Sequence, residues 1–214
     1  MTPRRLGTGA RPVLALHCSL AHGGAWVALA AHLPGATLIA PDLPGHGNAP
    51  DWDGRSDLHT LATRETLALL RQTGPLDVIG HSFGATVALR AALEDPDLIR
   101  SLTLIEPVLF CAARAAGWPG WAGYMADLAP FAAHMAAGDP EAAARHFQSI
   151  WGAGVPWEKT PARQRAYITA RIPLIPAQNP TLMDDAAGLL APWRLESLGL
   201  PTLLIEGANS PPVI

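Results

Sequence analysis

The chain has 214 residues, 49% apolar and 15% charged, a balance that supports one soluble domain with a substantial core and excludes a disordered chain. Its 15 Lys and Arg against 18 Asp and Glu leave a net charge of -3, too small to steer it onto nucleic acid or an anionic membrane surface, so neither is expected as a partner. Lys159 is the sole lysine and lies among polar residues and a proline, so Schiff-base chemistry is set aside. The two cysteines, Cys18 and Cys111, are too few for a disulfide framework and too isolated for a zinc site, which fits a reducing compartment and a cytoplasmic location. The apolar run over 13–16 is too short for a signal segment or a membrane span.

Apolar runs of strand length alternate with helical patterns, which predicts an α/β fold with a mostly parallel central sheet flanked by helices. Residues 13–17 read as a first buried strand and 36–40 as a second, with a helical segment over 26–32 between them and Pro34-Gly35 at the return. The loop Asp42-Leu-Pro-Gly-His-Gly-Asn-Ala-Pro50 comes next, and then helix spacing through Leu58, Leu61, Ala62, Leu69 and Leu70. Residues 76–80 form a third strand that breaks at glycine, 83–93 a helix, 101–106 a fourth strand and 201–206 a fifth.

Roughly 90 residues separate the last two strands, far more than an α/β connection needs. A helical cap over 107–192 is therefore expected, inserted into a core made of 1–106 and 193–214. Trp118, Trp121, Met125, Leu128, Phe131 and Met135 recur there at steps of three and four, and Pro119 and Pro130 should bend or divide that helix. Asp139-Pro140 and Thr160-Pro161 have the form of an N-cap followed by a first-turn proline.

Gly80-His-Ser-Phe-Gly84 fits G-x-S-x-G and falls between a buried strand and an amphipathic helix. A strand that turns at once into a helix holds the middle residue in strained backbone geometry, and the flanking glycines relieve the crowding. Ser82 is thereby presented at a helix N-terminus, where the dipole and free N–H groups favour an attacking alkoxide and a tetrahedral oxyanion. The competing reading is a helix-capping serine in a glycine-rich turn.

With these motifs the chain resembles the α/β-hydrolase superfamily over most of residues 12–210. Leu16-His17 ending a strand, Asp42-Leu-Pro-Gly-His-Gly47, Gly80-His-Ser-Phe-Gly84, Ser101-Leu-Thr-Leu-Ile-Glu106 and Pro201-Thr-Leu-Leu-Ile-Glu-Gly207 occur in the family's order. The resemblance implies a nucleophile at Ser82, a histidine base held by an acid, and an oxyanion hole of two backbone N–H groups. One N–H would be that of Phe83. The other would come from the loop after the first strand, where the family commonly has His-Gly and this chain has His17-Cys18-Ser19. Ser19 is the first choice and Cys18 the second, with His22-Gly23-Gly24 as a competing form of the loop. Cys18 itself reads as a small buried residue in the place of glycine. The aspartate that many members carry after the last matched strand is missing from Gly207-Ala-Asn-Ser-Pro211, so Glu106 is expected to be the acid, with Glu206 as its rival.

The family's chain order is serine, acid, histidine, yet all eight histidines here lie at or before His146. The expectation is a C-terminally incomplete fold whose base lies beyond residue 214, with an exposed sheet edge and low solubility. Within the chain, His134 and His146 of the cap are the substitutes. His81 should diverge from Ser82, and His17 and His46 should border the pocket while hydrogen-bonding its loops. A metal site from His17, Cys18 and His22 lacks regular spacing, and neither a metal nor a cofactor is expected. The expected pocket residues are His17, His81, Trp118, Trp121, Tyr124, Phe131 and Trp151. The expected activity is hydrolysis of a small to medium hydrophobic ester, or a related acyl or C–C bond, through an acyl-enzyme. The alternative is an inactive α/β-hydrolase-like fragment or a module that binds a small hydrophobic molecule. The oligomeric state stays open.

Overall fold

The two-residue period of a strand sorts apolar side chains onto two faces. In β2 (Arg11–Leu16), Leu14 and Leu16 join one core and Ala15 the other. A computed structural model, describing residues 2–214, sets this strand near the middle of a six-stranded sheet. The other strands are β1 (Arg4–Leu6), β3 (Ala36–Ala40), β4 (Leu76–His81), β5 (Ile99–Ile105) and β6 (Thr202–Ile205). Their order is β1-β3-β2-β4-β5-β6, and only β1 runs antiparallel to its neighbour. The sheet is thus mostly parallel, as the sequence predicts. The sequence pattern gives no sign of β1, because three residues carry too little alternation to register.

Helices cover both faces. On the smaller face, Trp26 and Ala30 of the turn into α1 (Val27–Ala31) pack on Ala15, Leu38 and Ala40. On the larger face, α2 (Leu58–Thr73) and α3 (Phe83–Glu94) bury Leu58, Leu70, Phe83 and Val87 against Leu14, Leu16, Val78 and Leu102. Each such leucine contributes roughly 1.5–3 kcal/mol by leaving water. Asp57 starts α2 by accepting from the Thr60 N–H at 2.6 Å.

Between β5 and β6 the chain forms α4 (Phe110–Ala115), α5 (Trp121–Ala136), α6 (Pro140–Trp151), α7 (Ala162–Arg171) and α8 (Leu174–Leu182). Phe131, Ala143, Ala144, Trp157 and Ile172 make a separate small core there. Asp139 caps α6 through the Ala142 N–H at 2.9 Å, whereas α7 begins after Pro161 rather than at Thr160. Pro119 lies between α4 and α5, so the pattern is divided there as expected, whereas α5 runs through Pro130 without a break. Pro130 and Ala126 both lie on the exposed side, so water can take over the carbonyl that the missing N–H frees. Among the described residues, no helix is long and apolar enough to cross a membrane. On β6, at the sheet edge, Leu203 and Leu204 are 55% and 66% exposed.

The strand order reverses direction at β2, and in open parallel sheets the crevice for a ligand lies at the carboxyl ends of the strands beside such a switch. The opposite ends are tied by Asp77. Its buried carboxylate accepts two bonds from Arg11 at 2.7 and 2.9 Å, one from Arg100 at 2.9 Å and one from the Ser101 hydroxyl at 2.7 Å. The Arg11 hydrogen bonds, foremost, hold this carboxyl below the usual carboxylate range. A depressed native pKa stabilises the fold fully above the unfolded value of about 4, and that contribution is lost as pH falls through the native value. Asp77→Asn should cost about 2 kcal/mol at pH 7. Thermal melts of the two proteins should differ by a constant amount from pH 7 down to about pH 5, begin to draw together below about pH 4 and still differ at pH 3, because the native value lies lower; a gap unchanged down to pH 3 would show that the charge of Asp77 is not what counts.

Candidate active site

The chain turns from β4 into α3 at Ser82, whose backbone sits at φ 54° and ψ -118°. Non-glycine residues hold positive φ only where the surrounding structure compels it. Here the Ser82 N–H donates to the Ile105 carbonyl at 2.9 Å, extending the β4–β5 ladder by one step. The turn closes this tightly because glycine flanks it. A Cβ on Gly80 would lie 2.4 Å from the Gly84 carbonyl oxygen, and one on Gly84 would lie 2.3 Å from that of Leu16. Phe83 opens α3 fully buried, its ring edge-on to His59 with centroids 5.5 Å apart. Among the described residues, the N–H groups of Phe83, Cys18 and Ser19 find no backbone acceptor. Such groups at the ends of adjacent strands are suited to hold a developing oxyanion.

Strand β5 runs into Glu106, which also has a positive φ, 48°. Its N–H donates to the Ile205 carbonyl at 2.8 Å, and its Oε1 accepts from the Gly207 N–H at 3.0 Å and from the Ser210 hydroxyl. Its Oε2 lies 3.6 Å from His81 Nε2. The Ser210 hydroxyl, with help from the Gly207 N–H and His81, holds the carboxyl below the usual range against the opposing effect of burial. Glu106 is therefore ionised at neutral pH. Gly207 must be glycine for this contact, since a Cβ there would lie 2.6 Å from Oε1.

Ser82, Glu106, His81, Cys18 and Ser19 line one cavity of about 180 Å³. Its apolar wall includes Phe110, Tyr124, Phe131, Phe147 and Trp151, carried by α4, α5 and α6. Aromatic contacts join these rings, with Phe110 centred 5.2 Å from Tyr124 and 5.8 Å from Trp151. Of the residues expected around a pocket, His81, Tyr124, Phe131 and Trp151 lie on this cavity, whereas His17, Trp118 and Trp121 do not. Trp118 and Trp121 pack, partly buried, on the main core instead. The helical period that these tryptophans share with the cavity residues reports burial, and a core and a cavity wall are equally buried.

His17 is a buried clamp. Its Nδ1–H donates to the Cys18 carbonyl at 2.8 Å, and its Nε2 accepts from the Leu43 N–H at 2.9 Å, tying the loop after β2 to the loop after β3. Burial pushes its pKa down to about 3, so it stays neutral. His46 is buried too, bonds the Pro44 carbonyl at 2.9 Å and lies off the cavity. The competing oxyanion loop is ruled out by its own bonds. The Gly23 N–H is taken by Asp42 at 2.7 Å and the Gly24 N–H by His22 at 3.0 Å. His146 bonds the Asp127 carbonyl at 2.7 Å, and neither it nor His134 lines the cavity. Glu206 is exposed and also lies off the cavity. Among the described residues, no three His, Cys, Asp or Glu side chains gather in a way that could hold a metal ion.

The sequence profile of the alpha/beta hydrolase fold family matches residues 11–213, and the chain belongs to that family. Lipase LipV of Mycobacterium tuberculosis is 39% identical over 107 residues, covering 48% of this chain and 39% of that protein. The pimeloyl-[acyl-carrier protein] methyl ester esterase of Methylococcus capsulatus is 34% identical over 173 residues, covering 78% of this chain and 63% of that enzyme. The chain thus spans less than two thirds of the length of either relative. In fold it is similar to the crystal structure of an alpha/beta hydrolase from Sphaerobacter thermophilus, with a TM-score of 0.69 at 23% identity over 97% of this chain and 78% of that one.

Cys18 is a second nucleophile type on the cavity wall, and its surroundings silence it. Burial foremost, and the nearby charge of Glu106, push the thiol up to about 11; burial does the same for Cys111. Since the thiolate is the reactive form, native protein at pH 7.5 should alkylate with iodoacetamide more than about tenfold slower than after unfolding. Rapid modification of Cys18 in the native state would contradict this assignment.

Proposed function

We propose that this chain carries the catalytic core of a serine hydrolase that cleaves small to medium hydrophobic esters through an acyl-enzyme. The observation that carries the reading is Ser82 at φ 54° on the strand-to-helix turn, opening onto a largely apolar cavity that it shares with Glu106. The named activities of the lipase and methyl ester esterase relatives support it.

In this scheme Ser82 Oγ attacks the ester carbonyl carbon while a histidine takes its proton. The carbonyl oxygen becomes an oxyanion held by the Phe83 N–H and by that of Ser19, with Cys18 as the alternative donor. Collapse of the tetrahedral species expels the alcohol, which receives the proton from the histidine. Water then repeats the sequence on the acyl-serine and releases the acid. Glu106, ionised and fixed through Ser210 and Gly207, orients the histidine and balances its charge.

His134 and His146, the histidines that follow Glu106 in the chain, lie off the cavity, so neither is read as the base. Among the described residues His81 is the one histidine on the cavity wall, and its Nε2 lies 3.6 Å from Glu106 Oε2, so it is read as a partner of Glu106. Free imidazole can then stand in for the base. In imidazole buffer the chain should hydrolyse p-nitrophenyl butyrate with saturation kinetics. Ser82→Ala should abolish that activity, and Glu106→Gln should lower kcat/KM about 100-fold with the fold intact by circular dichroism. Turnover that survives Ser82→Ala would refute the nucleophile. A melting temperature that rises with ester, without turnover at any imidazole concentration, would favour the binding module instead.

A further inference from the structure

The turn that carries the Cys18 and Ser19 N–H groups is held largely by the helices over the strand ends. Residues 18–21 close on themselves through the Ala21 N–H, which donates to the Cys18 carbonyl at 3.3 Å. Leu20, within that turn, sits at φ 60°, a left-handed value that favours glycine, so its neighbours must compel it. Ser19, Leu20 and Ala21 each meet a helix of the segment between β5 and β6, or the core that those helices form. The Ser19 hydroxyl is hydrogen-bonded to the Gln178 amide of α8 at 2.7 Å. The Leu20 side chain packs on the small core around Phe131 and Ile172. The Ala21 carbonyl accepts from the Tyr167 hydroxyl of α7 at 2.8 Å.

Tyr167 is itself fixed. Its oxygen also accepts from the Gly47 N–H at 2.9 Å, so one hydroxyl joins the loop after β2 to the loop after β3. Asp42 joins the same two loops, accepting from the Gly23 N–H at 2.7 Å and the Asn48 N–H at 2.8 Å. One turn along α7, the Arg171 guanidinium lies 4.0 Å from the centroid of the Tyr167 ring, where a cation is attracted to the face. Tyr167 does not line the cavity, so it can reach the chemistry only through the turn.

The geometry of one peptide unit supplies the link. In a trans peptide the N–H points opposite to the carbonyl, so whatever holds the Cys18 carbonyl aims the Ser19 N–H. His17 Nδ1 and the Ala21 N–H hold that carbonyl. We infer that Tyr167 is a positioning residue: by anchoring Ala21 it keeps the Ala21 N–H on the Cys18 carbonyl, and so keeps the Ser19 N–H aimed at the oxyanion. This role rests on the ester-site reading of Ser82.

Tyr167→Phe removes the anchoring oxygen and keeps the ring. With p-nitrophenyl butyrate at a fixed imidazole concentration, kcat should fall about 10-fold while KM stays within about twofold, because an oxyanion donor acts in the transition state. Asp57→Ala, which removes the N-cap of α2 off the cavity, is the destabilised control; it should lower the melting temperature and leave kcat unchanged. Should Tyr167→Phe fail to fold, Arg171→Met, which releases the ring and leaves both loops intact, should lower kcat in its place. An unchanged kcat in whichever variant folds overturns the role while leaving the ester site standing. A rise in KM alone overturns it too, as does a fall in kcat that Asp57→Ala reproduces. No turnover by the unaltered chain, or turnover that survives Ser82→Ala, would remove the ester-site reading and the role together.

Discussion

The close approach of α3 to the ends of β2 and β4 is the contact on which the site depends. With Gly84 lying against the backbone of Leu16 and Gly80 against that of Gly84, there is space for backbone alone. That crowding sets Ser82 at positive φ, aims the first N–H groups of α3 at the end of β2, and brings the β5 terminus to the same edge through the Ser82–Ile105 bond. Holding a serine in this conformation costs about 1–3 kcal/mol. The surrounding packing offsets it, since Phe83, Ala85, Val87 and Ala88 are fully buried in the main core and the Thr86 hydroxyl donates to the Phe83 carbonyl at 2.8 Å. A relaxed turn at Ser82 would have to unpack that helix.

The electrostatics of the cavity follow from which groups are allowed to ionise. His17 is kept neutral and the Cys18 thiol protonated, both chiefly by burial, while Glu106 is kept charged by hydrogen bonds. The result is an ionised carboxylate on the wall of the same cavity as residues whose backbone N–H groups have no backbone acceptor, with five aromatic rings on that wall. A histidinium formed beside Glu106 would be stabilised, and so would an oxyanion at the strand ends. A second negative charge on the ligand would be opposed.

How much of this is legible in the sequence depends on how local the determinants are. The strand-to-helix turn at Ser82 is written in five consecutive residues, and Glu106 ends an apolar run whose position follows from the same alternation. Both therefore stand out from the order of residues alone. The cavity wall does not, because Phe110, Phe147 and Gln178 reach it only through the way α4, α6 and α8 fold over the strand ends. Trp118 and Trp121 share the period of Tyr124 and Phe131 but turn to the main core, a distinction that periodicity cannot carry. The place of His17 at a strand end points to the pocket, yet both its nitrogens are taken by backbone groups. The Ser210 contact to Glu106 is equally hidden, since a hydroxyl in a Gly207-Ala-Asn-Ser210 loop announces no partner a hundred residues away.

The chemistry proposed for this site stands on Ser82 as its nucleophile. The most direct measurement is to treat the chain with a fluorophosphonate in imidazole buffer and map the adduct by peptide mass spectrometry. One phosphonyl group per chain is expected, on Ser82. An adduct on another residue such as Ser19, or none at all, would contradict it.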